Sequence, residues 1–441
     1  MQDKSFSKES LLTLITEAVI FVCGLIYLII LARVLGPVGK GIYSLILFIP
    51  GLMMIFGSLG IESSNVYFVG RKKYETKEVV ANSLTVSCVS GALLIFIFWG
   101  ITMLKSFQIF ISSNQISILH LWLVILIIPI YFISSFFRNI LRGYGDIVGY
   151  NKIRLVESIT LLLSGVLFLT VLNEGILGAV ISYIFSIISG VLISIFLISK
   201  ISKITLSFNK ILFRDFASFG TKVYLANGLS FLNYRLDVFL IALFLVPAQV
   251  GFYSVSASIA EKLLIIPGAL ATVLFPRISS ISETNASDLT SKILRHTTII
   301  MIIASLLLIV LAAPLINVFF GKSFLPSVLS LIILLPGIFA FSIGSVIAAD
   351  LSGRGKPQYA VWSSMTALIA NVILNIILIP RMGIVGAALA SSISYWLDTL
   401  VVLIAYLNIS RHSLREVLII KKDDFQDYYN LFLKFKTDGI W

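Results

Sequence analysis

Two cysteines and three histidines are all that 441 residues offer for thiol or imidazole chemistry. Cys23 and Cys88 both fall inside apolar runs, too few and too scattered for a disulfide framework or a zinc site. They read as small buried hydrophobes. His120, His296 and His412 are dispersed near helix ends, so no metal cluster is expected. Charge is also scarce: Asp, Glu, Lys and Arg make up 12% of the chain, about half their share in soluble domains. No Walker-type phosphate loop, zinc-ligand spacing or nucleophile elbow occurs. The chain is therefore read as a non-enzyme without a cofactor, and any nucleotide hydrolysis would have to come from a separate subunit.

What the chain has instead is apolar length. Apolar residues account for 58% of it, and mean hydropathy is +1.03. The apolar runs recur at about 20 residues, enough to cross a hydrocarbon layer about 30 Å thick. Reading them between polar breaks predicts twelve spans: 11–32, 41–61, 80–103, 118–140, 153–173 and 176–199, then 222–245, 251–275, 294–318, 326–350, 358–380 and 383–408. The first run is too long for a signal-peptide core and lacks a cleavage pattern, so it is read as a retained helix. Connections such as 173–175 and 247–250 leave no room for a catalytic domain.

Lysine and arginine set the expected orientation. With the N-terminus inside, the inner segments carry 26 of the 33 basic residues and the outer segments five, while Arg235 and Lys262 lie within spans. Both termini are thus expected in the cytoplasm, in a cell (plasma or inner) membrane. The same asymmetry accounts for the net charge of +12 without nucleic acid. Apolar residues at helical spacing from Phe425 to Phe435 suggest that the tail, 412–441, forms an amphipathic helix on the inner interface; an ordinary docked or disordered terminus is the alternative.

The chain also repeats itself. Residues 32–47 and 242–257 share six identities at an offset of 210: Ala32/Ala242, Leu35/Leu245, Pro37/Pro247, Gly41/Gly251, Tyr43/Tyr253 and Ser44/Ser254. Gly143 and Gly145 match Gly353 and Gly355 at the same offset, and 175–179 matches 383–387 at 208. Each half has six spans, an even number, so both enter the membrane from the same side. The predicted fold is all-α and integral to the membrane, with two pseudo-twofold-related six-helix lobes, 1–206 and 207–411, around a central site that a rocking motion would expose to alternate sides.

Charges deep in hydrocarbon cost roughly 2.5–3.5 kcal/mol each on insertion scales, so they need partners or water. The deep ones are Glu17, Arg235, Asp237, Glu261 and Lys262, four of them on the seventh and eighth spans. Two readings stand. Arg235 with Glu261, or Asp237 with Lys262, could form ion pairs that fix the hairpin. Alternatively, Arg235 and Lys262, with Asn233 nearby, could line a hydrated cavity and bind an anion, while Asp237, Glu261 or Glu17 takes up a coupling proton or cation. Glu62, Arg138 and Glu157 lie near the inner interface, where they can snorkel; Asp398 is deeper and ambiguous. Arg33 and Lys40 bracket the first outer turn, either snorkelling or guiding a phosphate there. Asn371 and Asn375 are one turn apart on a common face.

Residues 32–43 (ARVLGPVGKGIY) and 57–64 (GSLGIESS), the latter leading into a basic loop, resemble the opening of polysaccharide (O-antigen type) flippases of the MATE-like transporter superfamily. Residues 237–253, their continuation through Pro267 to Arg277, and 371–388 (NVILNIILIPRMGIVGAA) resemble that family's later helices, so the likeness covers nearly the whole chain. The resemblance implies the two-lobe fold with a central basic cavity. It also implies transfer of an undecaprenyl-pyrophosphate-linked oligosaccharide, or a similar lipid-linked sugar, to the outer leaflet, often coupled to H+ or Na+. Arg235 and Lys262 suit the pyrophosphate; Asp237 lies where the family's seventh helix often carries an acid. Membrane lipids and a glycan polymerase are the partners expected. Twelve spans, and a first helix with no basic residue before Arg33, separate the chain from the fourteen-span lipid II flippases. A cation antiporter of the same superfamily is the alternative, disfavoured by Arg235 and Lys262.

Overall fold

The computed structural model describes residues 2–279 and 281–419, with side chains from residue 12 onwards apart from 221–227, 230 and 276. Helices are α1 (Gln2–Ser58), α2 (Ile61–Gly70), α3 (Thr76–Thr102), α4 (Lys105–Ser113), α5 (Ile118–Leu126), α6 (Ile128–Tyr144), α7 (Ile147–Gly165) and α8 (Gly175–Ile201). They continue with α9 (Lys210–Phe244), α10 (Pro247–Glu261), α11 (Ile265–Ile278), α12 (Glu283–Phe319), α13 (Ser327–Gly353), α14 (Gln358–Met382), α15 (Ile384–Ser410) and α16 (Leu414–Leu418). No strand occurs among the described residues. Backbone in hydrocarbon must satisfy its own hydrogen bonds, which is why apolar length becomes helix.

Ten of these segments are long and apolar enough to cross a membrane, with α1 counted once and α9 not among them. The two legs of α1, and α9 with its 35 residues, complete the twelve expected spans. The chain is a multi-pass, all-α membrane protein. Its irregularities differ from the expected loops. The first outer turn is a kink inside α1, where Gly36 takes φ 62° and ψ −176°, a conformation closed to residues with a Cβ. The fourth span is broken at Ile127, just before Pro129, and the eighth at a 3-10 turn, Lys262–Leu264, just before Pro267. Helices α9 and α12 begin about a dozen residues before the apolar runs they carry, because polar residues outside the hydrocarbon prolong a helix at little cost.

Packing divides the chain into two compact units. One comprises Met1–Phe231, Val238–Phe252 and Phe319–Phe324; the other comprises Leu232–Asp237, Tyr253–Val318 and Leu325–Trp441. This division cuts α9 and α10, whereas the repeat divides the chain in sequence.

Within the first unit, the repeat meets itself. A Cβ added to Gly41 would run into the Pro247 carbonyl, and one added to Gly251 would run into the Pro37 carbonyl. Pro37 and Gly41 are the repeat counterparts of Pro247 and Gly251, so the contact is reciprocal, as in an isologous interface. Two of the six identities are thus explained by backbone approach. The phrase survives in both halves because each copy packs on the other.

In the second unit, α15 packs against both α13 and α14, and α11 lies on α13. Beyond α15, α16 opens with a capping box, Ser413 with Glu416. Val417 then buries itself in an apolar cluster with Leu294, Ile347 and Tyr406. The expected tail helix, including Phe425, Tyr428, Phe432 and Phe435, lies outside the described residues.

Candidate functional site: a buried polar cluster in the second unit

Helix periodicity sorts the charges of α9. Asn233 and Asp237 are four residues apart and share a face, while Arg235, two residues from each, points about 200° away. The consequence is two separate sets of partners.

Arg235 reaches the end of α10, where Nη1 and Nη2 donate to Glu261 Oε1 and Oε2 at 3.3 and 3.2 Å. The pair is forked, the geometry in which a guanidinium holds a carboxylate best. It is not sealed: the Arg235 side chain retains 41% of its exposure, and that of Glu261 retains 21%. Of the two ion pairs the sequence allowed, Arg235 with Glu261 is present. Lys262 follows directly, opening the 3-10 turn, and is half-buried.

Asp237 is 2% exposed and accepts hydrogen bonds from the Tyr253 hydroxyl and from Ser391 Oγ, the latter at 3.2 Å. Ser391 in turn accepts from Asn371 Nδ2 at 3.3 Å, and Asn375 Nδ2 donates to Asn371 Oδ1 at 2.9 Å. One carboxylate, two hydroxyls and two amides from α9, α10, α14 and α15 thus form a connected, buried set. The Asn375 Oδ1 atom is buried without a hydrogen-bond partner among the described residues. Oxygens of this kind suit a proton or a small hard cation. Asn233 stands one turn before Asp237, buried, with Nδ2 donating to the Ser364 carbonyl at 3.1 Å. Tyr234 stacks edge-on against Phe341 and lies beside Tyr395, an aromatic wall next to the cluster.

The other two site candidates lie elsewhere, in the first unit. Arg33 is exposed, and its Nε donates to the Phe319 carbonyl at 2.8 Å. Glu17 forms a forked pair with Arg154, with Nη2 to Oε2 at 3.1 Å. Its side chain is 49% exposed. Neither belongs to the cluster built on α9.

The sequence missed one association. Glu62, Arg138 and Glu157, separate snorkelling charges by sequence, are joined. Arg138 Nη1 pairs with Glu157 Oε2 at 2.9 Å, Ser134 Oγ donates to Glu157 Oε1 at 2.8 Å, and Ser135 Oγ donates to Glu62. Helices α2, α6 and α7 supply these groups. The available signal was the i, i+3 spacing of Ser135 and Arg138 on one face of α6.

Comparison with known proteins places this architecture. Residues 6–282 match the model of the family described as polysaccharide biosynthesis protein. A putative O-antigen transporter of Shigella flexneri is 24% identical over 385 residues, covering 84% of this chain and 90% of that protein. A probable low-salt glycan biosynthesis flippase, Agl15 of Haloferax volcanii, is 26% identical over 223 residues; the match covers 49% of this chain and 47% of that one, about half of each. Among solved structures, the lipid II flippase MurJ in an inward closed conformation superposes with a TM-score of 0.76, covering 96% of this chain and 93% of that one. At 17% identity that likeness shows a shared fold. With well over half of its length matched by the family model, the chain belongs to the polysaccharide biosynthesis protein family.

Proposed function

We propose that the protein is a flippase. It moves a polyprenyl-(pyro)phosphate-linked oligosaccharide from the inner to the outer leaflet of the cell membrane for polysaccharide biosynthesis. The observation that carries this is a guanidinium within a membrane span, Arg235, still 41% exposed although it is forked to Glu261. A sugar–phosphate headgroup cannot cross hydrocarbon unaided, and a hydrated cation at that depth lowers the barrier. Family membership and relatives named as a flippase and an O-antigen transporter support the same reading.

In this reading Arg235 and Lys262 bind the phosphate, Asn233 assists, and Arg33 guides the headgroup. Phosphate competes with Glu261 for the Arg235 fork, so binding frees a carboxylate. Asp237, at the centre of the buried set, takes up the coupling proton or sodium ion, with Glu261 and Glu17 as further carboxylates. Two six-helix lobes, 1–206 and 207–411, alternate between inward- and outward-open states. Both termini are cytoplasmic, membrane lipid holds the polyprenyl tail, and a glycan polymerase consumes the product. No chemical bond is made or broken.

The test is headgroup accessibility on each leaflet of reconstituted vesicles loaded with a polyprenyl-pyrophosphate sugar. R235A and K262A should each slow flipping at least tenfold. Unchanged flipping in both would overturn the assignment. Undiminished export of a cationic dye by the same variants would point to a cation antiporter.

A further inference from the structure

Helices α14 and α15 run antiparallel and face each other with two polar rungs. The first joins Asn371 to Ser391, which leads to Asp237. The second lies seven residues along α15, about 10 Å closer to the end carrying Gln358 and Ser410. There Asp398 meets the side chains of Ser363 and Ser364. Asp398 is 6% exposed, and its Oδ1 is buried without a hydrogen-bond partner among the described residues.

The repeat supplies the contrast. At the 208 offset, Asp398 corresponds to Gly190, and a Cβ on Gly190 would run into the carboxylate of Glu157. A carboxylate therefore occupies the same place in both halves, reached from opposite helices. In the first half Glu157 is balanced by Arg138. In the second half the counterpart of Arg138 is Ser345 or Ala348, depending on whether the offset is 207 or 210, and neither carries charge. The groups around Asp398 are Tyr234 from α9, Ser363 and Ser364 from α14, and Tyr395 on α15 itself. On α13 the titratable residue is Asp350, which is engaged by Arg354 and Thr290.

Hydrogen-bond direction supplies a further argument. Ser363 Oγ donates to the Ala360 carbonyl at 3.0 Å. That hydroxyl has a single proton, for which the Ala360 carbonyl competes with Asp398. A charged carboxylate at this depth, with no cation opposite it among the described residues, would also bear a penalty of desolvation.

We infer that Asp398 is a proton-binding carboxyl, distinct from Asp237, and that it carries its proton in this conformation. It deepens the ion-coupling part of the proposed function by adding a second station on the α14–α15 seam. Its test needs no substrate, so it and the flippase reading can fail independently.

The experiment is infrared spectroscopy of the purified full-length protein in lipid nanodiscs at neutral pH, without sodium. The carbonyl stretch of a dry, protonated carboxylic acid should be present. It should vanish in D398N, shift in D398E, and persist in D237N. Size-exclusion profiles and thermal melts of each variant exclude misfolding, and D398E retains the titrating group if D398N does not fold. A stretch absent from the unaltered protein, or one that survives D398N, overturns the inference. So does a stretch abolished by added sodium at constant pH, which would make the site a cation site.

Discussion

The two halves of the repeat place different chemistry at equivalent positions. At the 210 offset, Tyr27 corresponds to Asp237 and Tyr43 to Tyr253; at 208, Tyr183 corresponds to Ser391. In the first half the hydroxyls of Tyr27 and Tyr43 lie 3.2 Å apart, with Tyr183 nearby. In the second half one tyrosine has become a carboxylate and another a serine, and the resulting space is shared by Asn371 and Asn375. The counterpart of Asn375 is Gly165, whose missing side chain makes room for the Tyr27 ring. Likewise, Arg235, Glu261 and Lys262 correspond to Leu25, Gly51 and Leu52. The same scaffold thus has a neutral aromatic filling in one half and an ionisable site in the other.

The largest expected effect concerns Arg235 and its neutral counterpart. R235A should reduce flipping at least tenfold, while L25A leaves it within about twofold of the unaltered protein. R235K, which keeps charge but loses the fork, should fall between them. Removing one partner of a buried ion pair costs about 3–5 kcal/mol, but the exposure of Arg235 reduces this to roughly 1–2 kcal/mol. E261Q in the R235A background should therefore restore the thermal melt without restoring flipping. If flipping returns as well, the pair is only a structural clasp.

A second contrast sets D237N against Y27F. Asp237 accepts from two hydroxyls, and hydrogen bonds to a charged acceptor are worth about 1.5–3 kcal/mol each in soluble proteins, less in membranes. D237N should abolish any dependence of flipping on a proton or sodium gradient, whereas Y27F should leave that dependence intact. Equal effects would erase the distinction between the halves.

The third contrast should show no asymmetry. Because Gly41 and Gly251 pack reciprocally against Pro247 and Pro37, G41A and G251A should destabilise by similar amounts, about 1–3 kcal/mol each by overpacking. A large difference between their melting temperatures would show that the crossing is not equivalent from its two sides.

The smallest effect lies outside the membrane spans. Lys73 Nζ and the Tyr74 hydroxyl both donate to Asp215 at 2.5 Å. These bonds, that of Lys73 first, hold the Asp215 carboxyl below its ordinary range, and the same contact raises Lys73 above its own. The contribution to stability is present above the ordinary aspartate value and is lost as pH falls through the lowered one. On the alkaline side it is lost as pH rises through the raised lysine value. The pair is exposed, so its removal in D215N should shift the melt barely measurably and flatten that pH dependence.

Much of the fold was legible because hydrocarbon imposes a simple rule: about twenty apolar residues, backbone satisfied within the segment. Range 358–380 falls within α14, and 80–103 and 326–350 overrun α3 and α13 by a single residue. The Gly36 kink was less so: the break between 32 and 41 was readable, but not that one residue with a positive φ makes it inside an otherwise continuous helix. The placement of Arg235, Asp237 and Glu261 on long helices was readable in the same way. Their partners were readable only in part: the spans allowed Arg235 to meet Glu261, but the fork between them depends on the relative rotation of α9 and α10.

By itself, then, the amino-acid order determined that the chain spans a membrane in two like halves, and that Arg235, Asp237, Glu261 and Lys262 fall in the second. Both follow from counting along one dimension, where hydropathy and identity are local properties. Tertiary structure alone decided that Arg235 grips Glu261, that Arg138 joins Glu157, and that Asp398 meets serines where its counterpart, Gly190, makes room for Glu157. Those facts depend on which faces of separate helices turn towards each other, and helix rotation is set by packing between segments far apart in the chain.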